Sequence, residues 1–599
     1  METIMSGSEV PDGYVRDYLT GKVVEDSETE EARQVLGKRL AEEYRYDNQS
    51  AGIDVTVSGL DEEIDIVLYE DEGNRTPQIV IVTSVGDRKD GEERIKSALE
   101  NTPANLGVWF NGEDRICLHQ SDAGIVEQIP DIPKSGETLD EIGVYKYEDL
   151  VPAPDLQNIF DVIYYHLYSN SDISRAERLG PEMIRLLFCK LHDEKTNEVC
   201  QFVARVDENS DDVAERIKKL FEEVKESYPD AFNSDERLVL DSDSIEYVVG
   251  ELQRIGLTKT DRDAVGDAFE VFIGPSLRGD KGQFFTPQNL VDMTVEIIDP
   301  DPTDEVLDPA CGSGRFLISS LEKMRQKVQT DGGEFQQDLS TFSAAEDETE
   351  KETIEEPTFT QTIDYSDESG PSSNIYGIDK DFDMAKISKA YMAIAGNGSS
   401  HIVCESSLDL PKSWSQQAKD ILTQKGDLRK FDIILTNPPF GSNIPVKSKE
   451  VLEEYDLGYK WNYIKKRSQW EKTKQVLDGQ APQVLFIERC LDMLRPGGRM
   501  GIVLPDGILG NQTNGHIRQY MMENAHIVAV IDTPIETFLP STSTKTSVVV
   551  LQKKGEGVEP PENVFMAIAE ECGHDRRGNP IPEDDFPQII EEYKEFQNQ

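Results

Sequence analysis

From residue 305 onward, short apolar runs ending in a polar or small residue alternate with longer stretches of helical pattern. Val306-Leu307 ahead of Asp308, Ile375–Ile378 ahead of Asp379, His401–Cys404, and Phe431–Leu435 ahead of Asn437 read as four buried strands. A turn of small residues, Ala310 to Gly314, follows the first, and then a helix continues to about Lys327. Four strands in chain order, each delivering a polar group at its carboxyl end, predict an α/β doubly wound sheet with its ligand along that edge. Residues 1–148 give a separate α/β pattern: a helical stretch over 31–44, strands at 64–69 and 78–82, a helix over 92–99 and a strand at 106–110. After a linker at Val151–Pro154, residues 149–277 are helical, with Ile159, Phe160, Val162, Ile163 and Leu167, then Met183, Ile184, Leu186, Leu187 and Phe188, at core spacing.

Charge changes the picture most. The chain of 599 residues has 61 Lys and Arg against 116 Asp and Glu, a formal charge of −55 and a pI near 4.4. Such a surface fits work in very high intracellular salt, where repulsion is screened over about 3 Å at 1 M, and a halophilic host is expected. Against that background, Tyr459–Lys474 is basic and aromatic, with Lys460, Trp461, Lys465, Lys466 and Arg467 as candidate DNA contacts. It lies in an insertion, 442–480; a second insertion, 330–373, is acidic, rich in Ser, Thr and Gly, and expected to lack a core. Seven cysteines in no C-x-x-C pair argue against a disulfide framework or a zinc site. No apolar run reaches membrane length and the acidic start does not read as a signal peptide, so a cytoplasmic location is expected.

Asn437-Pro438-Pro439-Phe440 carries the candidate chemistry. An exocyclic amine such as adenine N6 is a poor nucleophile, because its lone pair is delocalised into the ring. Acceptors for both of its hydrogens favour a tetrahedral nitrogen, and the Asn437 side chain and the Pro438 carbonyl offer them; neither proline has an N–H to compete. Phe440 offers a stacking face to a base swung out of a duplex, partly offsetting an unstacking cost of roughly a few kcal/mol. Gly312 and Gly314 allow close approach of a ligand to the backbone, whereas Leu317 stands where a dinucleotide fingerprint wants a third glycine. Asp379 is placed to grip ribose hydroxyls, and Asp409 to accept from a cofactor's adenine amine.

Gln283-Phe284-Phe285-Thr286-Pro287-Gln288, then Asp308-Pro309-Ala310-Cys311-Gly312-Ser313-Gly314, then Asn437-Pro438-Pro439-Phe440 resembles, in that order, the N6-adenine DNA methyltransferase family, most closely the modification subunits of type I restriction systems. The likeness covers about Leu277 to Lys554 and includes Leu494–Pro505 and Lys545–Leu551. It implies a class I (Rossmann-like) methyltransferase domain over 278–556, followed by an acidic tail, 557–599. It also implies S-adenosylmethionine as cofactor, held by Gln283 to Gln288, Asp308, Gly312 to Gly314 and Asp379, and it requires no metal. Duplex DNA, a separate specificity subunit and possible association with a restriction subunit are the implied partners, with the helical segment and tail as docking surfaces. Residues 1–148, with Asp65 and Gly107-Val108-Trp109-Phe110-Asn111-Gly112, resemble the amino-terminal nuclease-type domain of type I restriction subunits. That family has an acid and a lysine where this chain has Val82 and Ser84, so a nuclease-like domain without nuclease activity is expected. Methylation of ribosomal RNA or of a protein glutamine, and a non-catalytic DNA-binding or assembly role, are the alternatives.

Overall fold

In the computed structural model, residues 14–598 are described apart from 48, 58–59, 61–62, 70–75, 84–87, 172, 174–178, 230, 261–284, 332–370, 395–400, 442–443 and 579. Gln283, Phe284, Ser84 and nearly all of the acidic insertion lie outside the described residues. The chain divides into two units, 1–276 and 277–599.

In the first unit, a two-stranded ribbon of β1 (Tyr14–Arg16) and β2 (Val23–Glu25) precedes helix α1 (Glu28–Glu42). A six-stranded sheet then runs in chain order: β3 (Ala51–Val55), β4 (Ile64–Tyr69), β5 (Pro77–Thr83), β6 (Leu106–Phe110), β7 (Arg115–Gln120) and β8 (Val126–Ile129). Only the β5–β6 pair is parallel, because helix α2 (Arg88–Asn101) makes the crossover between them. The central strands are apolar on both faces. Ile66, Leu68, Ile79, Ile81, Val108 and Phe110 pack with Leu36, Leu40 and Tyr44 of the α1 side, while Val67, Val80, Val82 and Trp109 meet Ile95, Ala98 and Leu99 of α2. Gly107 lets α2 come close: a Cβ there would stand 2.1 Å from Ile95.

Helices α3 (Leu156–Asn170), α4 (Leu179–Thr196), α5 (Ser210–Ser227) and α6 (Ser242–Leu252) belong to this same unit. The expected boundary at 148/149 therefore falls inside one body, and a buried charge network shows why. Glu251 of α6 accepts from Arg39 of α1 at 2.7 Å and from Arg115 of β7 at 2.6 Å. Arg254 donates to Asp131 at 2.9 Å and to Glu137 at 2.6 Å, and Tyr44 donates to Asp131 at 2.6 Å. Charges out of water require partners, and the partners of Glu251 and Arg254 here come from segments at least 117 positions away.

The second unit carries an eight-stranded sheet in the order β11-β10-β9-β14-β17-β19-β18-β20. Its strands are β9 (Val306–Asp308), β10 (Ile375–Asp379), β11 (His401–Cys404), β14 (Phe431–Thr436), β17 (Leu494–Pro505), β18 (Ala525–Asp532), β19 (Thr546–Lys553) and β20 (Phe565–Ile568). A short ribbon, β12 (Thr423–Gln424) and β13 (Asp427–Leu428), precedes β14, and a hairpin, β15 (Tyr459–Ile464) and β16 (Gln469–Val476), follows it. β11, β10, β9, β14 and β17 are parallel, β19 runs antiparallel between β17 and β18, and β20 lies parallel to β18.

The predicted acidic tail is a correction. Within 557–599, β20 extends the sheet and the Phe586–Gln597 helix packs on the Gln288–Ile298 helix. Lys594 bonds Glu296 at 2.7 Å, Asn289 bonds the Cys572 carbonyl at 2.8 Å, and Tyr593 meets Phe565 edge-on at 5.2 Å. The acidic average of the segment masked its few apolar anchors, Phe565, Phe586, Ile589 and Tyr593, all buried. Among the described residues, no helix is long and apolar enough to cross a membrane.

Candidate active site

The carboxyl ends of β9, β10, β11 and β14 converge on one cavity. Phe285, Gly312, Asp379, Asp409, Asn437, Pro438, Pro439 and Phe440 all line it. A smaller adjoining cavity is lined by Phe285, Thr286, Asp308, Ser313 and Arg315, and it shares Gly312 and Asn437 with the first. Parallel strands place their ends side by side, so Gly312 and Asp379, 67 positions apart, come into contact, and the segment ahead of the Gln288–Ile298 helix brings Thr286 to Asn437, 151 positions away.

The glycine turn owes its shape to two residues with positive φ, Gly312 at 53° and Gly314 at 92°. In front of Gly312 there is open space, since an added Cβ would meet nothing within 4 Å, whereas at Gly314 it would stand 3.1 Å from the Ser388 hydroxyl. Gly312 thus leaves room for a ligand, and Gly314 for the neighbouring Phe382–Ile394 helix. Cys311 is buried beneath the turn, where its Sγ lies 3.4 Å from Ser388 Oγ. Its thiol is pushed up by burial, which fits packing rather than reactivity.

Asp379 Oδ2 accepts from the Gly312 N–H at 3.0 Å and Oδ1 from the Asp381 N–H at 2.8 Å, so the second strand and the glycine turn are tied together. Burial pushes its carboxyl up to about 6 against the pull of those two donors. Asp308, which accepts from Ala310 N–H at 2.9 Å, is pushed up by burial to about 7. Both groups hold protons more tightly folded than unfolded. Their contribution to stability is complete below about pH 4 and lost as pH rises through the two folded values. The ligand-free chain should therefore lose stability across that window at fixed salt. Asp308→Asn should flatten the upper part of the unfolding profile, and an unchanged slope would exclude Asp308 as its source.

Asn437, just beyond β14, donates from Nδ2 to Thr286 Oγ1 at 3.0 Å. Its Oδ1 is buried without a partner among the described residues. Pro438 and Phe440 are buried, and Phe440 stands edge-on to Phe538 at 6.1 Å while lining the cavity. Arg315 donates to the Thr286 carbonyl at 3.1 Å, fixing the Phe285–Pro287 segment against the turn.

Pro287, Gln288 and Gly314 line neither cavity. The Gln288 amide is taken by Asp292 and Ser319, each at 2.9 Å, so the last residue of the predicted segment caps a helix contact instead. With Pro309 and Ala310 of the small-residue turn, Lys380, Met384, Glu405, Ser406, Ser407, Leu408, Ile444, Val446, Pro482 and Phe486 complete the lining, and sequence reasoning missed these last ten. Lys380 and Glu405 directly follow predicted strand ends, and that position was their only signal. Phe486 comes from the Pro482–Met493 helix, whose place beneath the site only the fold reveals.

The basic and aromatic stretch is the β15–β16 hairpin. Lys460, Lys465, Lys466 and Arg467 are exposed; Arg467 pairs with Glu471 at 2.6 Å. Trp461 differs from expectation: it is half-buried, donates to the Asp456 carbonyl at 3.0 Å, and lies 6.1 Å from His516. Trp470 lies 5.4 Å from the same histidine, and Gln519 bonds both its N–H and its carbonyl. The tryptophans anchor the hairpin, leaving cations at its tip.

Counting only the strands of this sheet, the order is third, second, first, fourth, fifth, seventh, sixth, eighth, with the seventh antiparallel. With a cavity at the carboxyl ends of the first four, that arrangement defines a class I methyltransferase fold. Residues 260–599 match the family described as N-6 DNA Methylase, and the chain belongs to that family. Residues 28–133 match the family described as Type I restriction enzyme R protein N terminus. The chain is similar to the Type I restriction enzyme EcoEI methylase subunit of Escherichia coli, 25% identical over 55% of this chain and 54% of that protein. It is also similar to the MjaIX methylase subunit of Methanocaldococcus jannaschii, 22% identical over 65% of this chain and 60% of that one. The chain thus spans just over half the length of these relatives. Among solved structures, a chain of a type I restriction–modification system is 17% identical with a TM-score of 0.46, covering 75% of this chain and 85% of that chain. The type I methyltransferase subunit from Streptococcus thermophilus is 18% identical with a TM-score of 0.41, covering 75% of each.

Proposed function

We propose that the chain transfers a methyl group from S-adenosylmethionine to adenine N6 in duplex DNA, as the modification component of a restriction–modification system. The observation that carries this reading is the buried Asn437 Oδ1, without a partner among the described residues, in a side chain that lines the cavity. A buried acceptor without a donor is costly, and a substrate amine is the donor it lacks. The residues present also suit the cofactor: Gly312 leaves open space for close approach, and the buried carboxyls of Asp308 and Asp379 suit a cationic ligand. When bound, S-adenosylmethionine supplies an electrophilic methyl group for in-line displacement. The chain's own part is to orient the amine through Asn437 and Pro438, to stack the base on Phe440, and to exclude water with Leu408, Ile444 and Phe486.

Exposed Lys465, Lys466 and Arg467 at the hairpin tip, with exposed Lys460 near its open end, form the DNA contact, meeting phosphates as point charges. Neutralising Lys465, Lys466 and Arg467 together should weaken duplex binding at least tenfold at moderate salt, with cofactor affinity unchanged. Unaltered DNA affinity would remove the hairpin from the interface.

The relatives are named subunits of restriction enzymes, which supports a separate specificity subunit for choice of sequence. The front sheet serves as scaffold, because Asp65 accepts from the Thr83 N–H at 2.7 Å and Val82 is in the core. A charge of −55 supports a salt-rich, cytoplasmic setting. Tritium transfer from labelled S-adenosylmethionine to duplex DNA, ribosomal RNA and protein, with and without a candidate specificity subunit and over a range of KCl, tests the whole reading. Label only in RNA or protein, or DNA cleavage with magnesium alone, would overturn the corresponding part.

A further inference from the structure

We propose that Thr286 is a positioning residue that sets which end of the Asn437 amide faces the substrate; this rests on the function proposed above. A primary amide is nearly symmetric in shape, yet its two ends are opposite in hydrogen bonding. Turned by half a rotation, Asn437 would present N–H groups to an amine that needs an acceptor. Among the described residues, no hydrogen bond within the Asn437-Pro438-Pro439-Phe440 loop holds the side-chain amide against that rotation.

Thr286 Oγ1 meets the amide at 3.0 Å, with the Asn437 nitrogen as donor, and the same side chain leaves Oδ1 buried without a partner among the described residues. Thr286 is itself held. Its backbone carbonyl accepts from Arg315 at 3.1 Å, and its side chain is 9% exposed in the wall of the smaller cavity. A hydroxyl both donates and accepts, so one further condition completes the device: the Thr286 proton must be committed elsewhere. An acceptor-only group bound in the smaller cavity, such as a carboxylate, would take that proton and leave Oγ1 able only to accept. Occupancy of the cofactor side then fixes the polarity of the amide on the substrate side.

The test compares Thr286→Val, which keeps the shape and removes the hydroxyl, with Thr286→Ser, which keeps the hydroxyl. In protein labelled with 15N-asparagine, the Asn437 side-chain amide should exchange its hydrogens slowly in the wild type and in the Ser variant. It should exchange fast in the Val variant, and S-adenosylhomocysteine should slow it further only where the hydroxyl is present. Thr286→Val should lower kcat for methyl transfer at saturating cofactor about a hundredfold and weaken S-adenosylhomocysteine binding by calorimetry about tenfold, because the hydroxyl also donates to the bound carboxylate, and Thr286→Ser should restore both. In an Asn437→Ala background Thr286→Val should cost nothing more, because Thr286 acts through Asn437. Equal exchange in all three proteins, or additive losses in the double variant, overturns the positioning role. A wild type that exchanges as described but transfers no methyl group to DNA overturns the function and leaves the positioning intact.

Discussion

Asn437→Ala is expected to lower the single-turnover rate of adenine methylation by about 100- to 1000-fold, with S-adenosylmethionine still bound. The size of the loss follows from what the side chain does in the protein alone. One N–H of its amide is committed to Thr286, and its buried Oδ1, without a partner among the described residues, is the acceptor left for substrate. In water an acceptor for the amine is always at hand. In a cavity walled by Phe285, Leu408, Phe440, Ile444 and Phe486, water is displaced and a fixed acceptor gains strength from the low dielectric around it. Asn437→Asp keeps acceptor oxygens and should retain more activity than the alanine variant. Rapid-quench measurement of tritium transfer under cofactor saturation separates rate from binding, and near-wild-type turnover by Asn437→Ala would remove the residue from the mechanism.

Glu251→Ala is expected to cost the first unit about 3–5 kcal/mol, the range found when one partner of a buried charge pair is removed. Glu251 is 2% exposed and accepts from both Arg39 and Arg115, so its loss leaves two buried guanidinium groups under-paired. An exposed pair offers the contrast. Lys219 and Glu215 on α5 are 73% and 71% exposed at their side chains, and Glu215→Ala should leave stability nearly unchanged. High salt should not rescue Glu251→Ala, because screening acts on solvated charges and not on buried ones. Hydrogen exchange of the amides of β7 and α6, followed with denaturant, reads the loss locally; a change below about 1 kcal/mol would show that the network is replaceable.

The parts of the fold most legible in sequence are those whose partners are local or whose burial is two-sided. Strands β4, β6, β10 and β11 fall where the apolar runs put them, because a strand covered on both faces needs an unbroken run. The β15–β16 hairpin was readable only as a basic and aromatic stretch. Its alternation is blurred by tryptophans that anchor one face to His516 and Gln519. The network of Arg39, Arg115, Glu251 and Arg254 gave no signal at all, since charged residues in a chain with this composition read as surface. The carboxyl-terminal segment was misjudged for the same reason.

The amino-acid order by itself determined the chemistry: an amide, two prolines and an aromatic ring after an apolar run, a small-residue turn after another, and an acid after a third. Those are local matters of hydrogen-bonding capacity and backbone freedom, which a residue carries wherever the chain takes it. The tertiary structure decided which of these groups meet, since Thr286 reaches Asn437 only because the segment ahead of the Gln288–Ile298 helix is held against the glycine turn at the carboxyl edge of the sheet. It also decided which charges are buried and which acceptor is left without a donor, because desolvation depends on neighbours contributed by other elements.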